Sequence, residues 1–557
     1  MLQQVATAPD AVTLEVIRNK LAGIANEMQL TLLKSSFSPV VKEAMDCSAA
    51  IFTTNAETLA QALAIPLHLA IMIPSLEEVI KHYPIATMQQ GDIYLINDPY
   101  HGGTHLPDIT LCIPVFASGR VVAFTVTTVH HQDVGGASPG SMPPNATDIF
   151  QEGLRLPPLK FHEAGVLNET LDKILRLNSR VPHYLMGDLN AQVAAGRVGE
   201  RRLGELCLHY GADLIEESFR ILLDRSEAMT RAGLRTLPQG TFRYVDWLDN
   251  DGVDFDQRVR IEVAVTINDG SFHVDFTGTS AQVRGPINVV PSGAYAAAYY
   301  AVRALTGSHI PTNGGCFRMV TITIPEGSLV NPRPPAPVGG RSSSVKRMCG
   351  AIISSLAEAC PDRVPAASAG LSLIMAFGGR RPDGSFFLVT EMLAAGTGAS
   401  GRSDGVDCLQ TDATNSMNIS VEALAMDGPI RIHRFGLRRD SGGVGEFRGG
   451  LGIVREYEFL ADDISFTYRG ERHYTAASGA GGGGPGAFTQ SCLIRADGRV
   501  EPLESKWITR VSTGDRLIVE TAGGAGYGDP ARRSAERRRM DVANGKVSDR
   551  ERAAPTG

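Results

Sequence analysis

The chain has no run of about 18 consecutive apolar residues, which excludes a typical membrane-spanning helix. Its opening, MLQQVATAPDAVTLEV, has no basic segment followed by an apolar core, so no secretory signal is expected there. None of the eight cysteines forms a Cys-x-x-Cys pair. Cys47, Cys112, Cys207, Cys316, Cys349, Cys360, Cys408 and Cys492 are scattered and read as reduced, mostly buried thiols of a cytoplasmic protein. GxxxxGK[ST] is missing, so a P-loop is not indicated. Excess charge of one sign is missing too. Lys and Arg number 53 against 60 Asp and Glu, a net charge of −7, and no nucleic-acid surface is expected.

What is present is ordinary in bulk. With 557 residues, 43% of them hydrophobic, the chain is long enough for two or more domains and a sizeable core. One stretch, residues 91–136, stands out. It carries His101, His105, His130 and His131 together with Asp92, Asp98, Asp108 and Asp133. Three apolar runs, 93–96, 109–116 and 121–129, alternate with these polar clusters and read as strands bounded by Gly, Pro, Asn and Asp. The polar residues therefore fall at strand ends, where side chains can converge.

His105-x-x-Asp108 offers two ligands from one turn, and His130 at the neighbouring strand end offers a third. Imidazole with carboxylate suits Zn, Mn or Fe(II), and three protein ligands leave positions open for water or substrate. The same residues fit a simpler role, hydrogen bonding to backbone carbonyls. Along a strand His130 and His131 point to opposite faces, so one of them at most belongs to such a set.

Around this stretch, residues 12–35 have helical spacing, with Thr13 a candidate cap. Asp46 precedes a short apolar run and reads as a turn residue. His68, in the apolar segment 67–82, reads as a packed core histidine. The loop-rich segment 138–161 carries Asp148, Gln151, Glu152 and Arg155. Segments 171–177 and 188–225 are helical in pattern, interrupted at Gly211. Residues 258–276 form a clear hairpin around Asn268-Asp269-Gly270. Helices are expected over 293–305 and 348–360. The turn Gly340-Arg341-Ser342-Ser343-Ser344 ahead of the second fits either an anion site or a simple cap. Polar residues 411–420, with Asn415, read as an amide-binding surface or a turn. The glycine-rich segments 440–452 and 523–530 read as turns, and 478–488 as a wrapping loop. Arg532, Arg533, Arg537, Arg538 and Arg539 suggest a short basic surface helix for docking. The expected architecture is α+β, multidomain, with mixed sheets, packed helices and a β-rich C-terminal half. The expected units are 1–238 with the candidate metal site, 239–375, a glycine-rich β unit at 376–530 and a basic tail at 531–557.

Longer motifs carry a resemblance. NDPYHGGTHLPDITL, VHHQDVGGASPGSMPPNATDIFQEGLRLPP, GPINV, NPRPPAPVGG, RRDSGGVGEFRGGLGIVREYEF and GGAGYGDP resemble the hydantoinase B/oxoprolinase family, nearly end to end. That family includes hydantoinase B subunits, the corresponding half of 5-oxoprolinase, lactamase subunits and subunits of acetone and acetophenone carboxylases. The resemblance implies a hydantoinase A type partner that binds ATP and Mg on an actin-like fold and phosphorylates the substrate oxygen. It implies a hetero-oligomer, α2β2 or larger, and a small cyclic amide as substrate. It implies metal ligation by His105, Asp108 and His130, with Asp46 as an extra ligand or a supporting group. Asp133, Asp148 or Glu152 would then be the general base, and Arg341, Ser343 and Asn415 would meet substrate. Two alternatives stay open, an ATP-dependent ketone carboxylase subunit and a non-catalytic scaffold. The chain departs from the family pattern at Arg341 and Ser344, where asparagine and threonine are usual, and in the apolar run 371–379.

Overall fold

A computed structural model describes residues 9–62 and 65–548. The molecule is α+β, with four largely antiparallel sheets and a strand-rich C-terminal half. The first sheet holds β1 (Cys47–Phe52), β2 (Thr58–Gln61), β3 (Ile93–Ile96), β4 (Asp108–Ala117), β5 (Arg120–His130), β6 (Leu159–Glu163) and β7 (Val166–Leu167). Their spatial order is β2-β1-β5-β4-β3-β6-β7. Its central strands are buried along almost their whole length, because helices cover both faces. Helices Ala11–Ser35 and Pro182–Tyr210 supply one apolar layer, and helix Pro66–His82 packs on the other side.

The first helix starts one residue before the periodicity suggests. Asp10 caps it, its carboxylate accepting from the Val12 and Thr13 amides, so Thr13 is not the cap. Gly211, at φ +85°, separates helix Pro182–Tyr210 from helix Ala212–Arg235. The second sheet, β8 (Gly240–Leu248), β9 (Val259–Asn268), β10 (Ser271–Asp275) and β11 (Val320–Thr323), contains the predicted hairpin, closed by Asp269 and Gly270 at positive φ. Helices Pro291–Leu305 and Arg341–Ser354 pack against it. The latter begins seven residues earlier than its apolar run suggests. Arg341 is thereby its first helical residue, and Gly340 precedes it without any side-chain cap.

The C-terminal half adds β12 (Leu373–Arg380), β13 (Phe386–Leu393), β14 (Ile430–Leu437), β15 (Ile453–Phe459), β16 (Ile464–Arg469), β17 (Gln490–Ile494), β18 (Val500–Pro502), β19 (Lys506–Val511) and β20 (Arg516–Glu520). They form two sheets, β13-β12-β16-β19 and β14-β15-β20-β17-β18. Phe377, Tyr457, Phe459 and Phe466 fill the space between them. A fully buried Arg455–Glu391 pair, 2.9 Å apart, crosses the same layer.

The glycine-rich segments carry no regular strand, as expected, but they are more than separate turns and a loop. They run extended beside one another and exchange backbone hydrogen bonds, as in Gly443 N to Gly524 O (2.8 Å), Gly524 N to Gly450 O (2.9 Å) and Gly526 N to Gly484 O (2.9 Å). Backbones this close leave no room for side chains. The basic C-terminal stretch is also anchored within the chain. Arg533 is buried against Asp404 and Asp541, Arg532 meets Glu446, and Arg537 lies over the Phe447 ring.

A Cβ at Gly524 would stand 1.9 Å from the Thr397 carbonyl oxygen, whereas one at Gly436 meets nothing within 4 Å. Gly524→Ala is therefore expected to cost about 3 kcal/mol in chemical denaturation. Gly436→Ala should stay within about 0.5 kcal/mol of the parent.

Candidate metal centre

Asp108 opens β4 and His130 closes β5, and the antiparallel register sets them directly opposite one another. His105 precedes Asp108 by one tight turn, in which the Asp108 amide donates to the His105 carbonyl at 3.1 Å. Three atoms converge as a result. His105 Nε2 lies 2.9 Å from Asp108 Oδ1, His130 Nδ1 lies 3.1 Å from the same oxygen, and the two ring nitrogens are 3.2 Å apart. All three side chains are buried.

The protonation states suit a cation. Burial first, and the Arg341 guanidinium second, push His105 down to about 3, so the ring is neutral. Its Nδ1 faces the Gly339 carbonyl at 3.3 Å and must carry the proton, which leaves a lone pair on Nε2. Burial opposes ionisation of Asp108, but the Arg341 guanidinium, which donates to its other oxygen, holds the carboxyl well below the usual range. Lone pairs from an imidazole and a carboxylate thus meet beside a second imidazole. With bonds of about 2.1 Å, ligands around an ion sit about 3.0–3.4 Å apart, the spacing seen here. The residues fit a divalent ion.

The other oxygen of Asp108 is taken. Arg341 Nη2 and Thr104 Oγ1 both donate to Oδ2. Gly339, whose carbonyl faces His105, is held on both sides. Arg469 donates to its oxygen at 2.8 Å, and Glu152 accepts from its amide at 2.7 Å and from that of Val338 at 3.1 Å. Burial pushes Glu152 up to about 8.

A cavity of about 40 Å³ opens on the triad, walled also by Asp46, His68, Arg341, Ser342, Thr414 and Ser416. Asp46 enters it from the residue before β1, and its carbonyl accepts from the His130 amide at 3.1 Å. His68, read from sequence as a core residue, is buried in this wall with Nε2 3.6 Å from Asp46 and 4.0 Å from Asp108. Nothing local in the sequence links residue 68 to residue 108. Arg469 and Thr104 were likewise missed, because their roles depend on long-range packing.

The remaining expected residues lie elsewhere. Asp133 accepts from the Gly135, Gly140 and Arg180 amides and from the Arg180 guanidinium, so both oxygens serve a loop. Asp148 caps a short 3-10 turn through the Gln151 amide. Ser342, not Ser343, lines the cavity, and Asn415 is an exposed residue between Thr414 and Ser416. His131 turns to the opposite face of β5 and meets Gln192 Oε1 at 3.1 Å, while Gln192 Nε2 donates to the Ile109 and Thr127 carbonyls.

A sequence profile of the hydantoinase B/oxoprolinase family matches residues 10–530. The caprolactamase subunit beta of Pseudomonas jessenii is 33% identical, over 97% of this chain and 94% of its own. The crystal structure of the ATP-dependent caprolactamase from that organism superposes with a TM-score of 0.90 at 32% identity, covering 97% of this chain and 95% of that one. 5-Oxoprolinase 1 of Arabidopsis thaliana is 32% identical over 93% of this chain, which spans 42% of that longer protein. A nucleotide-free acetone carboxylase structure matches with a TM-score of 0.87 at 19% identity, covering 96% of this chain and 78% of that one, a likeness of fold.

The adjacent histidines His130 and His131 can be separated by mutation. His130→Asn is expected to lose bound metal in elemental analysis. His131→Asn should keep it and lose about 1–3 kcal/mol of stability, because the buried Gln192 carbonyl loses its partner. The profile match, the relatives and the fold agree on one assignment: the chain belongs to the hydantoinase B/oxoprolinase family.

Proposed function

We propose that this chain is the B-type subunit of an ATP-dependent cyclic amide hydrolase, acting on a ring amide that an A-type partner has phosphorylated on oxygen. The observation that carries the reading is the buried His105-Asp108-His130 set opening on a cavity that also contains a guanidinium. Amide resonance resists attack. O-phosphorylation removes that resistance and supplies a leaving group, so the second subunit needs a nucleophile and charge stabilisation rather than a nucleotide site.

A divalent ion, Mn, Zn or Fe, held by His105, Asp108 and His130 would supply a water of lowered pKa and polarise a substrate oxygen. The chain's own groups do the rest. Arg341 sets a permanent positive charge beside the departing phosphate. Ser342, Thr414 and Ser416 offer hydroxyls to a ring amide. Asp46, in the same wall and close to His68, takes a proton or extends the donor set. Glu152 acts through the Gly339 peptide, by fixing the carbonyl that orients His105. A role for Ser343 and Asn415 in substrate contact would run through the neighbouring cavity residues.

Hydrolysis is preferred to ketone carboxylation because relatives at about one-third identity include a caprolactamase subunit and a 5-oxoprolinase. The test is co-expression with an A-type partner, followed by elemental analysis and ring-opening assays with ATP on hydantoin, 5-oxoproline and caprolactam. Wild-type complex should carry metal and open one of these rings. His105→Ala should lose both while still co-purifying with the partner. Normal turnover by the metal-free variant would overturn the reading.

A further inference from the structure

A second cavity, of about 270 Å³, has no part in the chemistry above. The same three segments wall both cavities. Helix Arg341–Ser354 gives Arg341 and Ser342 to the first, and Lys346 and Arg347 to the second. The approach to β12 gives Ser372 to the first and Gly370 to the second. The polar stretch 411–416 gives Thr414 and Ser416 to the first, and Thr411 and Asp412 to the second.

The second cavity is cationic and incompletely paired. Lys346, Arg347 and Arg472 are all at most 2% exposed, and all three line it. Two carboxylates, Asp246 and Asp412, line it with them, and Arg363 stands at its exposed edge. Arg472 is well satisfied, donating to both oxygens of Asp246 at 3.3 and 3.1 Å and to the Ala369 carbonyl at 2.9 Å. Lys346 donates to the Thr411 carbonyl. Arg347 reaches Asp246 only at 3.4 Å and the Ala369 carbonyl at 3.5 Å, and its Nε and Nη2 have no hydrogen-bond partner among the described residues. Glu471 lies 4.0 Å from Arg347 but is engaged by Lys506.

Buried donors without acceptors, on a charged group, are expensive. Two nitrogens of Arg347 lack an acceptor here among the described residues. Burial also pulls Lys346 down to about 8 and pushes Asp412 up, each shift opposed by the charge of the other group. Space is reserved as well. A Cβ at Gly370 would stand 3.4 Å from Asp412 Oδ2 and 3.7 Å from Arg347 Nη1, and one at Gly350, also in the wall, would meet nothing within 4 Å.

We propose that this cavity is a binding site for a phosphate-class oxyanion, held by Lys346, Arg347 and Arg472. Only the source of the anion, released phosphate or a phosphoryl group still on the ring, rests on the function proposed above. The site itself does not.

The test is calorimetric titration of the purified full-length chain with inorganic phosphate. One equivalent should bind. Arg347→Met should weaken binding about tenfold or more, the loss expected for a charge-assisted contact. Gly350→Leu, which fills the space and keeps every charge, should do the same, with thermal melts checking that both variants fold. Methyl phosphate binding as well as inorganic phosphate would support the site and identify an attached phosphoryl group. Inorganic phosphate alone binding would support it and identify the released product. No binding by wild type, equal binding by both variants, or tighter binding of acetate than of phosphate would overturn the proposal. Failure here with metal and turnover intact counts against this site alone. Phosphate binding by a metal-free, inactive protein counts only against the hydrolase reading.

Discussion

The site depends on one strand pairing, Asp108 opposite His130. A slip of one residue would turn one partner to the other face and dissolve the donor set. Ordinary amphipathic alternation cannot hold this register, since β4 and β5 are buried on both faces. Two packed layers hold it instead. Any slip would misfit the Ala11–Ser35 and Pro182–Tyr210 helices on one side and the Pro66–His82 helix on the other. Thr110 and Thr128, two residues further along the pair, add a buried side-chain hydrogen bond of 2.8 Å that only this register allows.

A second constraint acts through a single peptide. Gly339 is held at its amide by Glu152, from the loop between β5 and β6, and at its oxygen by Arg469, from the end of β16. Its carbonyl then fixes which nitrogen of His105 bears the proton. The donor set is therefore not a local module of the hairpin. Segments more than 300 residues apart, Glu152 and Arg469, decide its tautomer. The buried carboxylate of Glu152 contributes by gripping backbone rather than by touching a reacting atom.

This division explains what was legible in the sequence. His105, Asp108 and His130 could be grouped from sequence because turn spacing and strand ends are local signals, and the Asp269-Gly270 hairpin was plain for the same reason. His68, Arg469 and Thr104 acquire meaning only when distant segments pack. The carboxylates Asp133 and Asp148 were attractive by proximity along the chain, yet their oxygens are used by loop amides. The glycine segments misled in another way. Glycine signals freedom in a sequence, but here it serves close approach of backbones, which a single chain read in isolation does not reveal.

Arg341 sets the charge of the cavity while leaving the fold alone. Its helix starts at that residue, so the side chain enters the cavity without any rearrangement of the core. It occupies Asp108 Oδ2, which leaves only Oδ1 facing the histidines. The carboxylate can then meet an ion through one oxygen, not two. Two carboxylates, Asp46 and Asp108, against one guanidinium leave the fixed charges of the cavity one short of neutral, and a divalent ion makes the sum positive. With a neutral side chain at this position the same ion would only balance the carboxylates. The cavity of this chain is therefore biased toward a more anionic occupant than it would be with a neutral residue there. That bias acts on the charge of the occupant, not on whether the sheet closes around it.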